Sequence, residues 1–182
     1  MLEPSPLAQS LTHSLSALTI LGSILLVLWI LLSVSQKGKG IQSFFSRYAL
    51  QLGFFATLLG TFLTLLYSEV FHYAPCDLCW FQRAFLYPQL FIFGLAWYRK
   101  DRSILPYALL LSLLGLAIAL YHHALQMGYD IYKPCSTALF AVDCSVPSFI
   151  EFGFVTFPFM AVVLFGFLVL LNVTALHLAK RS

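Results

Sequence analysis

Charged residues are scarce in this sequence. Only 9% of its 182 residues are charged, whereas 60% are hydrophobic, and the mean hydropathy is +0.89. A soluble domain carries about 25% charged residues, so this chain has too few polar side chains to cover a water-soluble core. The composition therefore excludes an ordinary soluble domain and predicts an integral membrane protein.

Five apolar segments are long enough to cross a bilayer as helices, which takes roughly 20 residues each. The segments cover residues 15–34, 48–70, 80–98, 104–122 and 154–178. Short polar links join them, except for one long stretch, 123–153. We therefore predict an all-α integral membrane protein with five spans.

Lysine and arginine are absent from Met1 to Ser14, the stretch that precedes the first apolar segment. A secretory signal peptide has a positively charged start and a shorter apolar core of about 7–15 residues. Lys37 and Lys39 instead follow the segment. This pattern is typical of a retained helix, and it predicts an N-terminus on the outer side of the membrane.

The remaining basic residues predict the orientation, since cytoplasmic loops carry an excess of lysine and arginine. With the N-terminus outside, the inner segments are 35–47, 99–103 and the C-terminal tail. These segments hold eight of the ten basic residues, namely Lys37, Lys39, Arg47, Arg99, Lys100, Arg102, Lys180 and Arg181. The outer side holds Lys133, with Arg83 at the membrane edge. We expect a multi-pass protein of the bacterial cytoplasmic (inner) membrane with a cytoplasmic C-terminus.

All four cysteines fall on the predicted outer side. Cys76 and Cys79 lie in the short outer loop 72–79, and Cys135 and Cys144 lie in the long one. Disulfides form and persist on that oxidising side of a bacterial membrane. Cysteines that act only as small buried hydrophobes would be scattered among the spans, so this distribution indicates thiol–disulfide chemistry.

Cys76 and Cys79 form a C-x-x-C motif directly after Pro75, at the predicted start of a helix. Proline is common at a helix start, and the unpaired amides of a helix N-terminus favour the thiolate of a nearby cysteine. Arg83 lies one turn beyond Cys79 on the same helix face, where its charge would stabilise a thiolate or an electron-rich partner. An arginine that only reaches toward lipid headgroups is the alternative.

The second pair, Cys135 and Cys144, is nine residues apart in the long outer loop. A pair at the membrane surface and a pair on a loop would suit a relay by thiol–disulfide exchange, although four cysteines allow three connectivities. A structural zinc site is the alternative, with His72, His122 and His123 as further ligands. The loop cysteines are too far apart for the tight second knuckle of such a site, so we expect no metal.

Two histidines end the fourth apolar segment in the sequence Tyr121-His122-His123. Their predicted position is the outer surface, at the level of the C-x-x-C motif. An ionisable residue at the membrane edge indicates a functional site, although a histidine at a helix end can simply bind the last carbonyls. His122 and His123 are therefore candidate site residues, with His122 preferred.

Four motifs occur in the order PCDLCWFQRAFLYP, YHHALQ, PCSTALFAVDCS and FGFVTFPFM. Together they resemble the disulfide bond formation protein family, which comprises DsbB and its Gram-positive-type relative BdbC, and the last motif is closer to the BdbC branch. The resemblance covers residues 45–178 and implies a four-helix bundle with both dithiols on the outer side. On this basis residues 48–182 form the redox domain, and residues 1–47 add an outer tail, an extra helix and an inner basic loop.

The resemblance also implies a thiol relay. A reduced thioredoxin-fold partner, similar to DsbA or BdbD, would attack Cys135, which has Cys144 as its pair. Electrons would then pass to Cys76 and Cys79 through a transient Cys76–Cys144 disulfide. The two loop cysteines are closer in sequence than in the DsbB branch, so the loop between them has less length for the rearrangement that this step needs.

A membrane quinone, either ubiquinone or menaquinone, is the electron acceptor that the resemblance implies. Cys79 would face the quinone, and Arg83 would stabilise the charge that develops there. Either His122 or His123 would correspond to the family's quinone-proximal histidine. The expected function is therefore that of a quinone-dependent protein-disulfide oxidoreductase.

Three other classes of protein are alternatives. A reductive thiol carrier would use the same cysteines, but such carriers usually place their pair within the membrane spans. A vitamin-K-epoxide-reductase-like enzyme carries its C-x-x-C motif on the last helix of the bundle, whereas here the motif opens the second. A structural membrane protein with two ordinary disulfides predicts that changing Arg83 is harmless and that no quinone is reduced.

Overall fold

The computed structural model describes residues 6–34, 39–129 and 142–179. Most of these residues lie in α1 (Pro6–Val34), α2 (Lys39–Arg47), α3 (Ala49–Leu65), α4 (Asp77–Arg99), α5 (Leu105–Gln126) and α6 (Phe157–Ala179). A π-helical turn, Leu66–Val70, extends α3. These described ranges contain no strand, only an isolated bridge between Glu151 and Val155. The predicted all-α fold is confirmed.

Within these described ranges, four helical segments are long and apolar enough to cross a membrane: Pro6–Ser33, Ala49–Val70, Leu105–Gln126 and Phe157–Ala179. Helix α4 has 23 residues, a length of about 35 Å at 1.5 Å per residue, but it is not one of the four. Polar residues, among them Gln82, Arg83 and Gln89, lower the mean hydropathy of this helix. The span predicted at 80–98 is therefore helical, and its crossing of the membrane stays a prediction.

Helices α3, α4, α5 and α6 form a closed bundle, in which α4 contacts α3 and α5, and α6 contacts α5 and α3. Phe93 and Phe165 are buried in its core. Gly53 lets α3 approach α4, because a Cβ at this position would lie 2.6 Å from the Phe93 ring. The Ser112 hydroxyl of α5 donates a 2.9 Å hydrogen bond to the side chain of Gln89, so a polar residue of α4 is satisfied inside the bundle.

Helix α1 packs on the outside of this bundle, against α6. It begins at Pro6, nine residues before the span predicted at 15–34. Proline suits the first turn of a helix because its missing N–H needs no partner there. The Thr12 hydroxyl donates to the Ala8 carbonyl at 2.7 Å, so a polar residue of this early stretch is satisfied within the helix. Much of the predicted outer tail is therefore part of α1.

Residues 39–47, predicted as part of an inner basic loop, form helix α2 instead. Phe45 of α2 stacks on Trp29 of α1, with 3.9 Å between the ring centroids. A helix of nine residues is marginal on its own, so this tertiary contact explains why α2 forms. The Arg102 guanidinium donates to the Ser46 carbonyl at 2.8 Å, which ties α2 to the connection between α4 and α5.

The two ends of the bundle differ in chemistry. At one end lie Lys39, Arg47, Arg99, Lys100 and Arg102. At the other end, which we call the redox end, Cys76 and Cys144 cluster near the end of α5, and Cys79 adjoins them. Four other basic residues from which the orientation was predicted lie outside the described residues, namely Lys37, Lys133, Lys180 and Arg181. Apart from Arg83, the described lysines and arginines thus lie at the end opposite to the described cysteines, as we expect from the predicted orientation.

Candidate redox site

The dithiol lies at the N-terminus of α4. Cys76 is the N-cap residue, with an extended backbone (φ −77°, ψ 173°), and Cys79 belongs to the first turn. Just before them, the Tyr73 N–H donates to the Tyr67 carbonyl at 3.0 Å, which ties the loop to the π-helical turn. The helix start predicted after Pro75 is confirmed, and it places both sulfurs where α4 presents unpaired amides.

The two sulfurs are 3.1 Å apart, and both thiols are free. Cys76 is only 6% exposed, whereas Cys79 is half-buried. The hydrogen bond with the Cys79 thiol lowers the pKa of Cys76 well below the usual thiol value, and His122 lowers it further against the opposing effect of burial. Cys76 therefore carries the thiolate of the reduced pair, and Cys79 donates its proton toward it.

His122 is fully buried in the last turn of α5, beside the dithiol. Its Nε2 is 3.6 Å from the Cys76 sulfur, and its Nδ1 is 3.1 Å from the amide nitrogen of Gln82. The Gln82 amide donates to Nδ1, so in the neutral ring the proton is on Nε2 and points to the Cys76 sulfur. The histidine thus stabilises the Cys76 thiolate by a direct hydrogen bond.

Gln126 completes this polar group. Its amide nitrogen lies 3.3 Å from His122 Nε2, and its carbonyl oxygen is buried with no hydrogen-bond partner among the described residues. A half-turn of the amide would place that oxygen, rather than a second N–H donor, beside Nε2–H, since amide oxygen and nitrogen are assigned only by their hydrogen-bond network. Both glutamines were missed by the sequence analysis. Their signal was a polar amide within an apolar helix, which needs a buried partner.

His123 faces a different neighbour. Its Nδ1 lies 3.2 Å from the Thr156 hydroxyl, and its ring packs against Phe159 with 5.1 Å between the centroids. An α-helix has 3.6 residues per turn, so two successive residues cannot both face the dithiol. The structure separates the two histidine candidates, because His122 contacts Cys76 and His123 contacts the segment that leads into α6.

Cys144 is buried next to Cys76, and both belong to an apolar cluster with Leu78 and Leu125. Cys144 is disulfide-bonded, whereas Cys76 and Cys79 are free. Cys135, the other predicted loop cysteine, lies outside the described residues. A disulfide-bonded loop cysteine therefore shares a buried cluster with the free dithiol, an arrangement suited to thiol–disulfide exchange.

Arg83 is buried between α3 and α4, with 7% of its surface exposed. Its guanidinium donates to the Thr64 carbonyl at 2.9 Å and lies 5.1 Å from the centre of the Trp80 ring. An arginine that only reached headgroups would extend its charge into water. The burial and the fixed hydrogen bond favour a role inside the bundle instead.

An apolar cavity of about 760 Å³ opens beside the dithiol, a size in the range of small-molecule sites. Cys79, Gln82 and Arg83 lie in its wall at the redox end. Most of the remaining lining consists of apolar side chains from α1, α3 and α6. A flat ring with polar atoms at its edge and an apolar chain would match this distribution of polar and apolar groups.

The two cysteines of the motif face different neighbours. Cys79 lines the cavity, whereas Cys76, His122 and His123 are not among the described residues that line it. Cys76 contacts His122 instead and shares the buried cluster with Cys144. The C-x-x-C motif thus connects the loop disulfide on one side with the apolar cavity on the other.

The structure also brings together three groups that bind metals. The ligand atoms of Cys76, Cys79 and His122 lie within 4.8 Å of one another, and thiolate and imidazole are the ligands that Zn²⁺ prefers. The zinc alternative from the sequence required all four cysteines, and the disulfide-bonded Cys144 offers no thiolate. The expectation of no metal stays a prediction.

A bundle of apolar helices with a buried dithiol, a neighbouring disulfide and an apolar cavity is the architecture of a membrane thiol–disulfide oxidoreductase. The family described as "Disulfide bond formation protein DsbB" matches residues 46–175, and the chain belongs to this family. The resemblance recognised in the four sequence motifs is confirmed. Helix α1 lies outside the matched residues.

Relatives from Bacillus and Coxiella are also named as disulfide formation proteins. "Probable disulfide formation protein C" of Bacillus cereus is 37% identical over 117 residues, covering 64% of this chain and 84% of that protein. "SPbeta prophage-derived disulfide bond formation protein B" of Bacillus subtilis is 36% identical over 126 residues, covering 69% and 80%. "Probable disulfide formation protein" of Coxiella burnetii is 34% identical over 122 residues, covering 66% and 82%. No solved structure matches the chain.

Proposed function

We propose that this protein is a membrane thiol oxidase that reoxidises a thioredoxin-fold partner similar to DsbA or BdbD and delivers the electrons to membrane quinone. The observation that carries the proposal is the position of the C-x-x-C motif between the apolar cavity and a buried cluster that includes a loop cysteine. Cys79 lines the apolar cavity, and Cys76, whose sulfur is 3.1 Å away, shares a buried cluster with the disulfide-bonded Cys144.

The first half of the proposed relay oxidises the partner. A partner thiolate attacks Cys135 of a Cys135–Cys144 disulfide and releases Cys144 as a thiolate. The Cys144 thiolate attacks Cys76 of a Cys76–Cys79 disulfide, which forms the Cys76–Cys144 bond and releases Cys79. The second thiol of the partner then attacks its own sulfur bound to Cys135, so the partner leaves with a new disulfide and Cys135 is released.

The second half restores the loop disulfide. The Cys135 thiolate attacks Cys144 in the Cys76–Cys144 bond, and Cys76 leaves as a thiolate. The net result is that two electrons and two protons have moved from the partner to the Cys76–Cys79 pair. Free thiols at Cys76 and Cys79 together with a disulfide-bonded Cys144 match the state at this point of the cycle.

The residues at the redox end of the cavity fit a quinone. Such a group would supply a two-electron, two-proton oxidant, so that the Cys76–Cys79 disulfide forms again. Cys79 would meet it from the start of α4, and Gln82 and Arg83 would provide hydrogen-bond donors and a fixed positive charge. The thiolate of Cys76, 3.1 Å from the Cys79 sulfur, is in position to close the disulfide as Cys79 loses electrons.

Replacing each cysteine with serine tests this proposal. We expect each of Cys76, Cys79, Cys135 and Cys144 to be required, with a loss of more than about 1,000-fold in quinone reduction by a reduced thioredoxin-fold partner. The purified protein in detergent is assayed by absorbance with ubiquinone and with menaquinone. Cys135→Ser should also abolish the mixed disulfide with the partner, which non-reducing electrophoresis reports.

Ser145→Ala is the control for these variants, because this neighbour of Cys144 donates only to Asp143 in a surface turn. It should turn over like the wild type. Quinone reduction that survives in Cys79→Ser would contradict the role of this sulfur. No turnover by the wild type with either quinone, despite a competent reduced partner, would overturn the proposal and favour a structural protein or a reductive carrier.

The proposed orientation puts the redox end on the periplasmic side and the basic end in the cytoplasm. We therefore expect a single cysteine at the exposed Val146 to react with a membrane-impermeant maleimide in whole cells, in a variant whose native cysteines are all serine. A cysteine at Lys100, in the connection after α4, should react only after the membrane is permeabilised. Labelling of Lys100→Cys in intact cells would contradict the orientation.

A further inference from the structure

The apolar cavity beside Cys79 is bounded on one side by α1. Nine residues of α1 between Leu15 and Leu32 contribute to its lining, opposite Leu59 and Leu63 of α3. Helix α1 precedes residues 46–175, the part of the chain that matches the DsbB family. This wall is therefore built by a segment of the chain that the family match does not include.

Helix α1 is fixed to the bundle at both ends of the cavity. At the redox end, the hydroxyl groups of Thr12 and Tyr67 form a buried hydrogen bond of 2.8 Å, and Tyr67 belongs to the π-helical turn just before the dithiol loop. At the opposite end, Trp29 stacks on Phe45 of α2. These contacts make α1 an integral wall rather than a loosely attached anchor.

Between these ends, α1 contacts α6 and leaves a gap toward α3, which is the cavity. Gly22 of α1 lies close to α6: a Cβ there would be 3.4 Å from Val163, near ordinary van der Waals contact. The stretch from Leu15 to Leu32 is about 26 Å long at a rise of 1.5 Å per residue, close to the roughly 30 Å of a hydrocarbon core. The cavity is thus a long apolar slot that has its charged side chain, Arg83, at the redox end.

Building on the proposed function, we propose that this slot binds the isoprenoid tail of the quinone whose ring meets Cys79 and Arg83, with α1 as the wall that holds the tail. The slot is long, its lining is apolar along its length, and it is continuous with the redox end. An isoprenoid chain attached to a polar ring has the same order of chemical groups. A phospholipid acyl chain is the competing occupant, and the experiment distinguishes the two.

The expected effect on binding is modest. Lipid is as apolar as the slot, so the tail gains affinity from close packing and not from leaving water. We expect the wild type to bind a long-tail quinone about three- to tenfold more tightly than the same ring with a single isoprene unit, after correction for partition into detergent. Helix α1 would therefore discriminate among quinones by their tails, whereas the residues at the redox end would contact the ring.

Leu25→Trp and Ile24→Trp form a matched pair for the test. The two residues are similarly exposed, Leu25 by 57% and Ile24 by 53%, but Leu25 lines the slot and Ile24 is not part of the described lining. Leu25→Trp should lower the affinity for the long-tail quinone about three- to tenfold and leave the short-tail analogue unchanged, and Ile24→Trp should match the wild type. Affinity is measured without partner, from the thermal stabilisation that each quinone confers and from the quinone that is retained through purification.

Leu18→Trp, in the same wall, is the second variant in case Leu25→Trp does not fold. Equal affinity of the wild type for long- and short-tail quinone, or equal losses in Leu25→Trp and Ile24→Trp, would overturn the tail slot. Loss of co-purified phospholipid in Leu25→Trp with unchanged quinone binding would identify an acyl chain as the occupant and overturn it too. If the tail slot is overturned in either way but the wild type still reduces the short-tail quinone, the proposed function stands. If the wild type neither binds nor reduces either quinone, the proposed function itself is contradicted.

Discussion

Replacing His122 with phenylalanine is expected to slow turnover about 10- to 100-fold and to let a Cys76–Cys144 disulfide accumulate. In the proposed relay, Cys76 is the leaving thiolate when the loop disulfide forms again, and a thiol with a lower pKa leaves faster. The Nε2 of His122, 3.6 Å from the Cys76 sulfur, helps to lower the pKa of that thiol. Mass spectrometry of alkylated protein sampled during turnover measures the trapped disulfide.

The pH dependence of Cys76 alkylation gives a second measurement. In the reduced wild type, the lowered pKa of Cys76 keeps the thiolate ionised through the neutral range, so the alkylation rate should be nearly flat there. In His122→Phe, the pKa of Cys76 should rise, because His122 no longer lowers it, while the hydrogen bond with the Cys79 thiol still does. The fall of the alkylation rate with decreasing pH should therefore begin at a higher pH than in the wild type.

His123→Phe is the matched control, because His123 contacts Thr156 rather than the dithiol. It should leave both the alkylation profile and the amount of trapped disulfide unchanged. His122→Gln should recover part of the activity, since an amide N–H can replace Nε2–H as a donor. Equal effects at both positions, or a slow His122→Phe with a wild-type alkylation profile, would show that His122 serves only to pack the helices.

The positions of the two cysteines explain how one short motif can serve two different reactions. Cys76 is buried with Cys144, and His122 stabilises its thiolate by a hydrogen bond. Cys79 is one helical turn away and lines the apolar cavity with Arg83. In the proposed relay, protein thiols and a lipid-soluble oxidant would therefore not need to reach the same sulfur. Electrons would cross between the two environments within the motif itself.

Much of this site could be predicted from the sequence, because local rules fix it. Pro75 and the C-x-x-C motif indicated a helix start, and helical spacing put Arg83 on the same side as Cys79. The choice between His122 and His123 stayed open, since both follow the same apolar segment and only the rotation of α5 in the bundle decides it. Gln126 was missed for the same reason.

The role of α1 could not be read from its sequence. Its residues are apolar on all sides, so no face marks the one that meets the bundle. Its docking depends on partners far along the chain, such as Tyr67 for Thr12 and Phe45 for Trp29. The same dependence explains why α2 was taken for a loop: a short amphipathic segment becomes a helix only when it has a surface to cover.

Arg83→Ala is expected to lower the rate of quinone reduction by about 100- to 1,000-fold, the usual cost of removing one preorganised charged donor from an active site. The guanidinium is buried, is fixed by the Thr64 carbonyl and lies in the cavity wall with Cys79. In the proposed relay it would therefore provide a positive charge where electrons leave the dithiol. Oxidation of the partner in a single turnover, which uses the two disulfides alone, should change little. Rapid mixing of oxidised enzyme with reduced partner, with and without quinone, separates the two rates.

Arg102→Ala is a matched control for this prediction. Arg102 also donates to main-chain carbonyls, those of Ser46 and Arg47, but it does so at the basic end of the bundle, opposite to Cys79. If Arg83 mattered only for tying α3 to α4, both variants would lose thermal stability and both reactions would slow together. A selective loss of quinone reduction in Arg83→Ala, partly restored in Arg83→Lys and absent in Arg102→Ala, would assign the effect to the charge beside Cys79. Equal loss of partner oxidation and quinone reduction would make Arg83 a structural residue.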